Sequence, residues 1–264
     1  MADGQAKPPR WWPGFRADAP LARDCVGFWP MWEGQAGETY DVANPYATGH
    51  HGTLVNGPTW ESGPSGPVLD FGGPSSFINV PLPQGLPYPF TLWCQFLPLT
   101  AKNRVIISVA SSAAVNYHAL WVDSTHRLSA RSFAGAVRDA DISGCFGIEY
   151  ARTTWRTGTA VFASATSREI FLDADIDSGS DSNSVSVAIN RARFGISADS
   201  TPFGHFPDQI GAVAIWARAI TASERDQLHY DPYALIRPRV RTFSFATGGA
   251  PPATNRRRRL LLAG

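Results

Sequence analysis

The sequence predicts an all-β fold: an antiparallel two-sheet β-sandwich of jelly-roll type, with one short helix near the C-terminal end. Three observations carry this. Aromatic residues make up 12% of the 264 residues, including 9 Trp and 15 Phe, whereas charged residues are only 17%. The chain holds 24 glycines and 21 prolines, so turns are frequent and long helices are disfavoured. Short apolar or alternating runs recur from Cys25 onward, bounded by Gly, Pro, Asn and Asp. The hydrophobic share of 44% can fill a sizeable core, and all-β sandwiches of this length occur as one domain.

The elements follow in order. Residues 26–29 (Val-Gly-Phe-Trp) open the strand series. Residues 34–57 are rich in Gly, Asn and Thr and read as loop. Residues 68–71 and 77–80 flank Gly72-Gly73-Pro74 and read as a hairpin or a tight corner. Residues 90–96 (Phe-Thr-Leu-Trp-Cys-Gln-Phe) read as a central strand. Runs at 104–109, 119–122, 128–133, 159–163, 169–172, 192–196 and 209–216 follow at short intervals, as in a sandwich. Thr221-Ala-Ser-Glu224 has the capping-box pattern, so a helix starts there. It runs to about Tyr230 and stops at Asp231-Pro232, because a residue before proline leaves the α region. Leu228 is its apolar anchor, and residues 240–245 alternate as a further edge strand would.

Composition excludes several function classes. The net charge of +1 offers no broad basic footprint, so no specific nucleic acid is expected. Cys25, Cys94 and Cys145 are odd in number and lack metal-ligand spacing, so neither a disulfide framework nor a zinc site is expected. The first ten residues carry no apolar h-region, and no signal peptide is expected. No apolar run approaches the ~20 residues of a membrane span.

The ends differ from the middle. The reading divides the chain into an N-terminal extended arm (1–24), a sandwich (25–236) and a C-terminal arm (237–264). The first arm carries Trp11, Trp12 and Phe15. The second ends in Arg256, Arg257, Arg258 and Arg259 followed by Leu260, Leu261 and Leu262. Idle tails are polar. Arms that pair apolar residues with positive charge have the composition of segments that order on a partner, and all ten residues are candidate anchors. The sandwich itself, complete from Cys25 to about Tyr230, is expected to need neither arm.

Several motifs together resemble the laminin-G-like family of the concanavalin-A-like lectin and glucanase superfamily. They are Val26-Gly27-Phe28-Trp29-Pro30 with Glu33-Gly34, Tyr40-Asp41 with His51-Gly52-Thr53-Leu54, and Leu69-Asp70-Phe71-Gly72-Gly73 with Phe77-Ile78. Phe90-Thr91-Leu92-Trp93, Arg193-Phe194-Gly195-Ile196, the strand from Ile210 to Trp216 and the helix start at Arg218-Ala219-Ile220 complete the order. The match spans roughly residues 25–230 and implies the sandwich fold; the fold hosts lectins, adhesion modules, glycosidases and viral coat decorations. More softly, Asp231-Pro232-Tyr233-Ala234-Leu235, the Pro-rich linker and the Arg/Leu tail resemble the ends of tailed-bacteriophage structural proteins carrying this domain.

Candidate chemistry is sparse. Asp173, Asp175 and Asp177 alternate, so in a strand their side chains share a face. Some glycosidases of this fold place Glu-x-Asp-x-x-Glu there, but both Glu positions are absent here. With Asp181 the same residues resemble a calcium loop of oxygen ligands, although Ser178 and Ser184 replace its glycine and its bidentate Glu. The bland alternative is a strand at 170–172 ending in a solvated acidic loop. His50-His51 beside Asp41 and Asn44 can bind metal or serve the turn before Gly52; the family pattern favours the turn. No nucleophile elbow, phosphate loop or zinc-protease motif appears. Trp29, Trp93 and Trp216 fall on apolar strands and belong to the core, whereas Trp60 and Tyr117 fall in loops and are candidate sugar-stacking residues.

These resemblances imply a non-enzymatic virion structural protein, a capsid or tail decoration assembled in the host cytoplasm. It would display the sandwich as a homo-oligomer on the particle, among other virion proteins, and bind a cell-surface glycan. It requires no cofactor, with Ca2+ as the candidate ion. The alternatives are a lectin-like carbohydrate-binding module not tied to a virion, and a glycoside hydrolase.

Overall fold

The computed structural model describes residues 14–44, 50–73, 75–82, 85–100, 103–111, 116–133, 148–149, 153–173, 175–180, 189–198 and 202–236, with backbone only at 148–149 and 175–180. They form two antiparallel sheets of eight strands each, stacked as a β-sandwich. Sheet I runs β14 (Asp175–Ser180), β13 (Ser167–Leu172), β12 (Arg156–Phe162), β7 (Phe90–Leu97), β16 (Gln209–Trp216), β5 (Gly66–Asp70), β4 (Thr59–Gly63), with β1 (Cys25–Trp29) also pairing with β16. Sheet II runs β11 (Ile148–Glu149), β10 (Arg127–Phe133), β9 (Tyr117–Val122), β8 (Arg104–Ala110), β15 (Arg191–Phe194), β6 (Phe77–Pro81), β3 (Gly52–Val55), β2 (Glu38–Thr39).

Side-chain alternation explains the layers. On β7, Phe90, Leu92, Cys94 and Phe96 enter the inter-sheet core, while Trp93 points to the other face of sheet I. Ile210, Val213 and Ile215 of β16 do the same, and Ala212, Ala214 and Trp216 face outward. A bulge at Gly211 sets this phase, because the register with β7 shifts between Ile210 and Ala212. Stacking of Phe90 on Phe162 (4.7 Å) within sheet I and an edge contact of Trp29 with Phe194 (5.2 Å) across the sandwich fill the centre.

A second core lies on the outer face of sheet I. Phe28, Trp93 and Trp216 are covered there by Leu21, by Leu228 of the helix and by Tyr233 and Leu235. The indole of Trp216 donates to the Leu21 carbonyl (2.8 Å), and Arg16 N–H donates to the Leu235 carbonyl (2.8 Å). The Arg218 guanidinium pairs with Glu224 at 2.7 Å and donates to the Arg23 carbonyl at 2.8 Å. Residues 14–24 therefore pack on the sandwich rather than standing off it as a free arm, with Leu21 among the residues that cover Trp216.

The helix α1 (Ala222–Tyr230) has the predicted capping box, with Thr221 N–H donating to Glu224 at 2.8 Å, and it buries Leu228. Other expectations change. The loop expected at 34–57 contains β2 and β3, whose Gly52 and Thr39 pair. Trp60 lies on β4, an edge strand with no clean alternation. The pair flanking residues 72–74 is a corner between sheets rather than a hairpin, since β5 belongs to sheet I and β6 to sheet II. The stretch after Leu172 is a tight hairpin into β14, turning at Asp173 with φ of 54°, a conformation that short polar side chains tolerate. Residues 240–245 lie outside the described residues.

Candidate functional site

The outer face of sheet II is covered over β8, β9 and β10 by an aromatic cluster. Tyr117 stacks on Phe133 at 4.4 Å, and Phe203 and Trp121 pack beside them. Beyond this cluster the face over β15, β6 and β3 forms an open groove of about 710 Å³. Its floor follows from strand register. Ala192 and Phe194 of β15 and Ile78 and Val80 of β6 point into the core, so Arg191, Arg193, Phe77, Asn79 and Pro81 point out.

Cross-strand pairing then sets the groove in rows. Thr53 pairs with Asn79 and Asn79 with Arg193, which lines up a hydroxyl, an amide and a guanidinium across three strands. Adjacent strands are ~4.8 Å apart, so this polar row is about 10 Å long. In the flanking rows Val55 pairs with Phe77, and Pro81 with Arg191. The Arg193 guanidinium lies 5.0 Å from the Phe77 ring centre and donates to the Ser197 carbonyl at 3.1 Å. Arg191 donates to the Ala198 carbonyl. The wall those carbonyls belong to is itself pinned: Phe203 N–H donates to Ser197 Oγ (2.8 Å) and Ser197 N–H to the Phe203 carbonyl (3.0 Å). Both arginine heads are thus held at the groove before anything binds, which lowers the ordering cost of recognition.

A buried polar chain crosses the sandwich elsewhere. Arg168 Nε donates to Ser132 Oγ at 2.8 Å, Ser132 Oγ lies 2.6 Å from His118 Nδ1, and His118 Nε2 lies 2.9 Å from the Tyr88 hydroxyl. Arg168 can only donate, so Ser132 Oγ accepts from it. Burial, with the Arg168 charge in support, lowers the His118 pKa to about 3. Burial raises the Tyr88 hydroxyl to about 12. The Ser–His contact has the distance of a nucleophile and its base. Yet His118 is 0% and Ser132 1% exposed, and the serine oxygen already accepts from a cation. This geometry ties the sheets together and offers no substrate access.

The residues singled out from sequence are scattered. Tyr117 is 1% exposed, so it is no sugar platform, and it starts β9 rather than lying in a loop. Trp60 is half-buried against the inter-sheet core, its indole donating to the Ala36 carbonyl at 2.8 Å. Phe15 packs on the second core of its own chain rather than standing ready for a partner. Asp173 has both oxygens engaged: Oδ2 accepts from Arg156 (2.7 Å) and Oδ1 from Thr157 N–H (2.9 Å). Asp175 and Asp177 fall on β14, whose backbone alone is described. Trp11, Trp12, Asp181, Arg256, Arg257, Arg258, Arg259, Leu260, Leu261 and Leu262 lie outside the described residues. His51 serves its turn, its Nδ1 accepting from Asp41 N–H at 3.2 Å. Asp41 is fully buried, and its carboxylate accepts from the N–H groups of Phe28 and Ala43, both at 2.9 Å. Among the described residues no three His, Cys, Asp or Glu side chains are placed to hold a metal ion. None of their helices is long and apolar enough to cross a membrane. The groove residues had one legible signal: in Arg191-Ala192-Arg193-Phe194 the alternation puts two arginines on the face opposite the core.

No protein-family model and no curated protein matches the chain. Solved structures match in fold. Domain 4 of AbnA, a GH43 extracellular arabinanase from Geobacillus stearothermophilus solved with arabinotriose, aligns with a TM-score of 0.59 at 14% identity, over 78% of this chain and 98% of that domain. Trypanosoma rangeli sialidase aligns with a TM-score of 0.55 at 14% identity, over 80% of this chain and 33% of the sialidase. The binding domain of botulinum neurotoxin DC, in complex with rat synaptotagmin II, aligns at 0.54 and 9% identity, over 79% of this chain and 52% of that one. The chain spans about a third of the length of the sialidases it matches. At these identities the likeness establishes a β-sandwich.

Proposed function

We propose that this chain is a carbohydrate-binding sandwich that recognises a glycan in the groove of sheet II and does not cut it. The observation that carries the reading is the row of Thr53, Asn79 and Arg193 beside the Phe77 ring: hydroxyl, amide and guanidinium donors and acceptors next to an apolar face. Sugar rings present that same pairing of hydroxyl edges and C–H faces. The groove lining carries no carboxylate among the described residues, whereas hydrolysis by the usual route needs two. The match to an arabinanase domain solved with arabinotriose supports the reading at the level of fold. The motif order from Val26 to Glu224 supports a laminin-G-like placement within that fold.

The context we propose is display on a phage virion, assembled in the host cytoplasm with other virion proteins. One feature supports an anchored module. Arg16 and Leu235 are hydrogen-bonded on the outer face of sheet I, so both ends of the described body leave side by side, on the face away from the groove. An anchor beyond either end would leave the groove facing outward. Deleting residues 248–264 should then remove the protein from purified particles while leaving the sandwich folded. Equal decoration by the truncated protein would contradict this context.

A glycan array tests the function itself. The wild type should bind a defined subset of glycans, and Asn79→Ala should weaken binding to that subset by about tenfold, the cost of one or two hydrogen bonds. Hydrolysis of any bound glycan by the wild type would overturn the non-catalytic reading.

A further inference from the structure

We infer that the saccharide taken by the groove is acidic, its carboxylate held by Arg191 and Arg193; this rests on the glycan-binding reading above. The two arginines stand two residues apart on β15, on one face. Their Cα atoms are therefore ~6.8 Å apart, a spacing that side chains of this length can close around one carboxylate. A guanidinium offers a planar fork of N–H donors that matches a carboxylate, and it keeps its charge at any physiological pH. Stacking of Arg193 on Phe77 and its bond to Ser197 hold that plane at the groove wall. Arg191 is likewise tied to the Ala198 carbonyl.

The surroundings choose the acid's character. Thr53, Asn79 and Asn190 bring neutral donors and acceptors to the same groove, as ring hydroxyls require. Glu38 pairs with Thr53 at the edge of the sheet and places a negative charge beside the groove. The whole chain carries a net charge of only +1. A densely sulfated chain would meet that glutamate and find no broad positive field to draw it in. A sugar with one carboxylate per residue or fewer, as in uronates, fits two arginines set among amides.

The test pairs each acid with its neutral twin. Oligosaccharides of galacturonate, glucuronate and mannuronate, and their methyl esters, are titrated calorimetrically into wild type, Arg191→Gln and Arg193→Gln, with dextran sulfate as a polyanion control. At least one acid should bind about tenfold or more tightly than its ester, since an ester keeps the ring and loses the charge. That preference should collapse in both variants, whose folded state is checked by circular dichroism. Equal binding of acid and ester, or binding of neutral glycans alone, overturns the inference and leaves the glycan-binding groove standing. A preference that survives both substitutions overturns it too, because the arginines are then not the recognising groups. Binding of dextran sulfate as tight as that of the best acid reduces the result to polyanion attraction and also overturns it. Failure of every saccharide, acidic and neutral, overturns the groove reading as well.

Discussion

His118 shows how one residue converts burial into a pH response. Its ring is held neutral in the sandwich, with a pKa near 3 against an ordinary 6.5, first by burial and then by the Arg168 charge. Between those two values the unfolded chain binds the proton and the folded chain does not. The stabilisation is therefore fully present above pH ~6.5 and is lost as pH falls toward ~3, at up to about 1.4 kcal/mol per pH unit. We predict that His118→Phe, which keeps a ring among Phe90, Phe162 and Tyr88, flattens this acid limb. Urea melts at pH 7 and pH 4 should show the wild type losing a few kcal/mol more than the variant, on the order set by that slope. Equal losses would show that His118 is protonated when folded. Asp173 gives a second test at this scale. Its carboxylate is committed to Arg156 and Thr157, so a cation there must displace a guanidinium. Millimolar calcium or a chelator should leave the melting temperature in place; a rise of several degrees with calcium would restore the calcium loop read from Asp173 to Asp181.

At the scale of elements, the segment before β1 matters more than its composition suggests. Leu21 is 1% exposed against the second core, and its carbonyl accepts from Trp216. Leu21→Ala should destabilise the whole protein by about 2–4 kcal/mol, the usual cost of such a cavity. A change under half a kcal/mol in a denaturant melt would mean that this segment is an ornament after all. The sequence made the central strands plain, because residues 90–96 and 209–216 are apolar on both faces and long enough to span a sheet. The helix was plain because Thr221 and Glu224 need no tertiary context to cap it. β2 and β3 were hidden because Glu38-Thr39 is too short to show a period and Gly52 lacks the side chain that marks a strand. Trp60 misled for a related reason: β4 is a polar edge strand that reads as loop, yet its tryptophan folds back on the core.

For the molecule as a whole, the groove was not legible because it depends on register between strands distant in sequence. Thr53, Asn79 and Arg193 are neighbours only after β3, β6 and β15 pair. Single-strand alternation gives the face of each residue but not its row. The resulting molecule is polar in its organisation: residues 14–24, the helix and residues 231–236 on sheet I, groove on sheet II, and the main apolar core between. The central claim is that sheet II recognises saccharide at this groove. Nuclear magnetic resonance of isotope-labelled protein, titrated with the glycan that binds best on an array, tests it most directly. Amide shifts should concentrate at residues 53–55, 77–80 and 190–193 and at Ser197 and Ala198, with the helix and residues 14–24 unmoved. Shifts centred instead on the hairpin at Asp173, on Trp60 or on α1, with the groove silent, would contradict it.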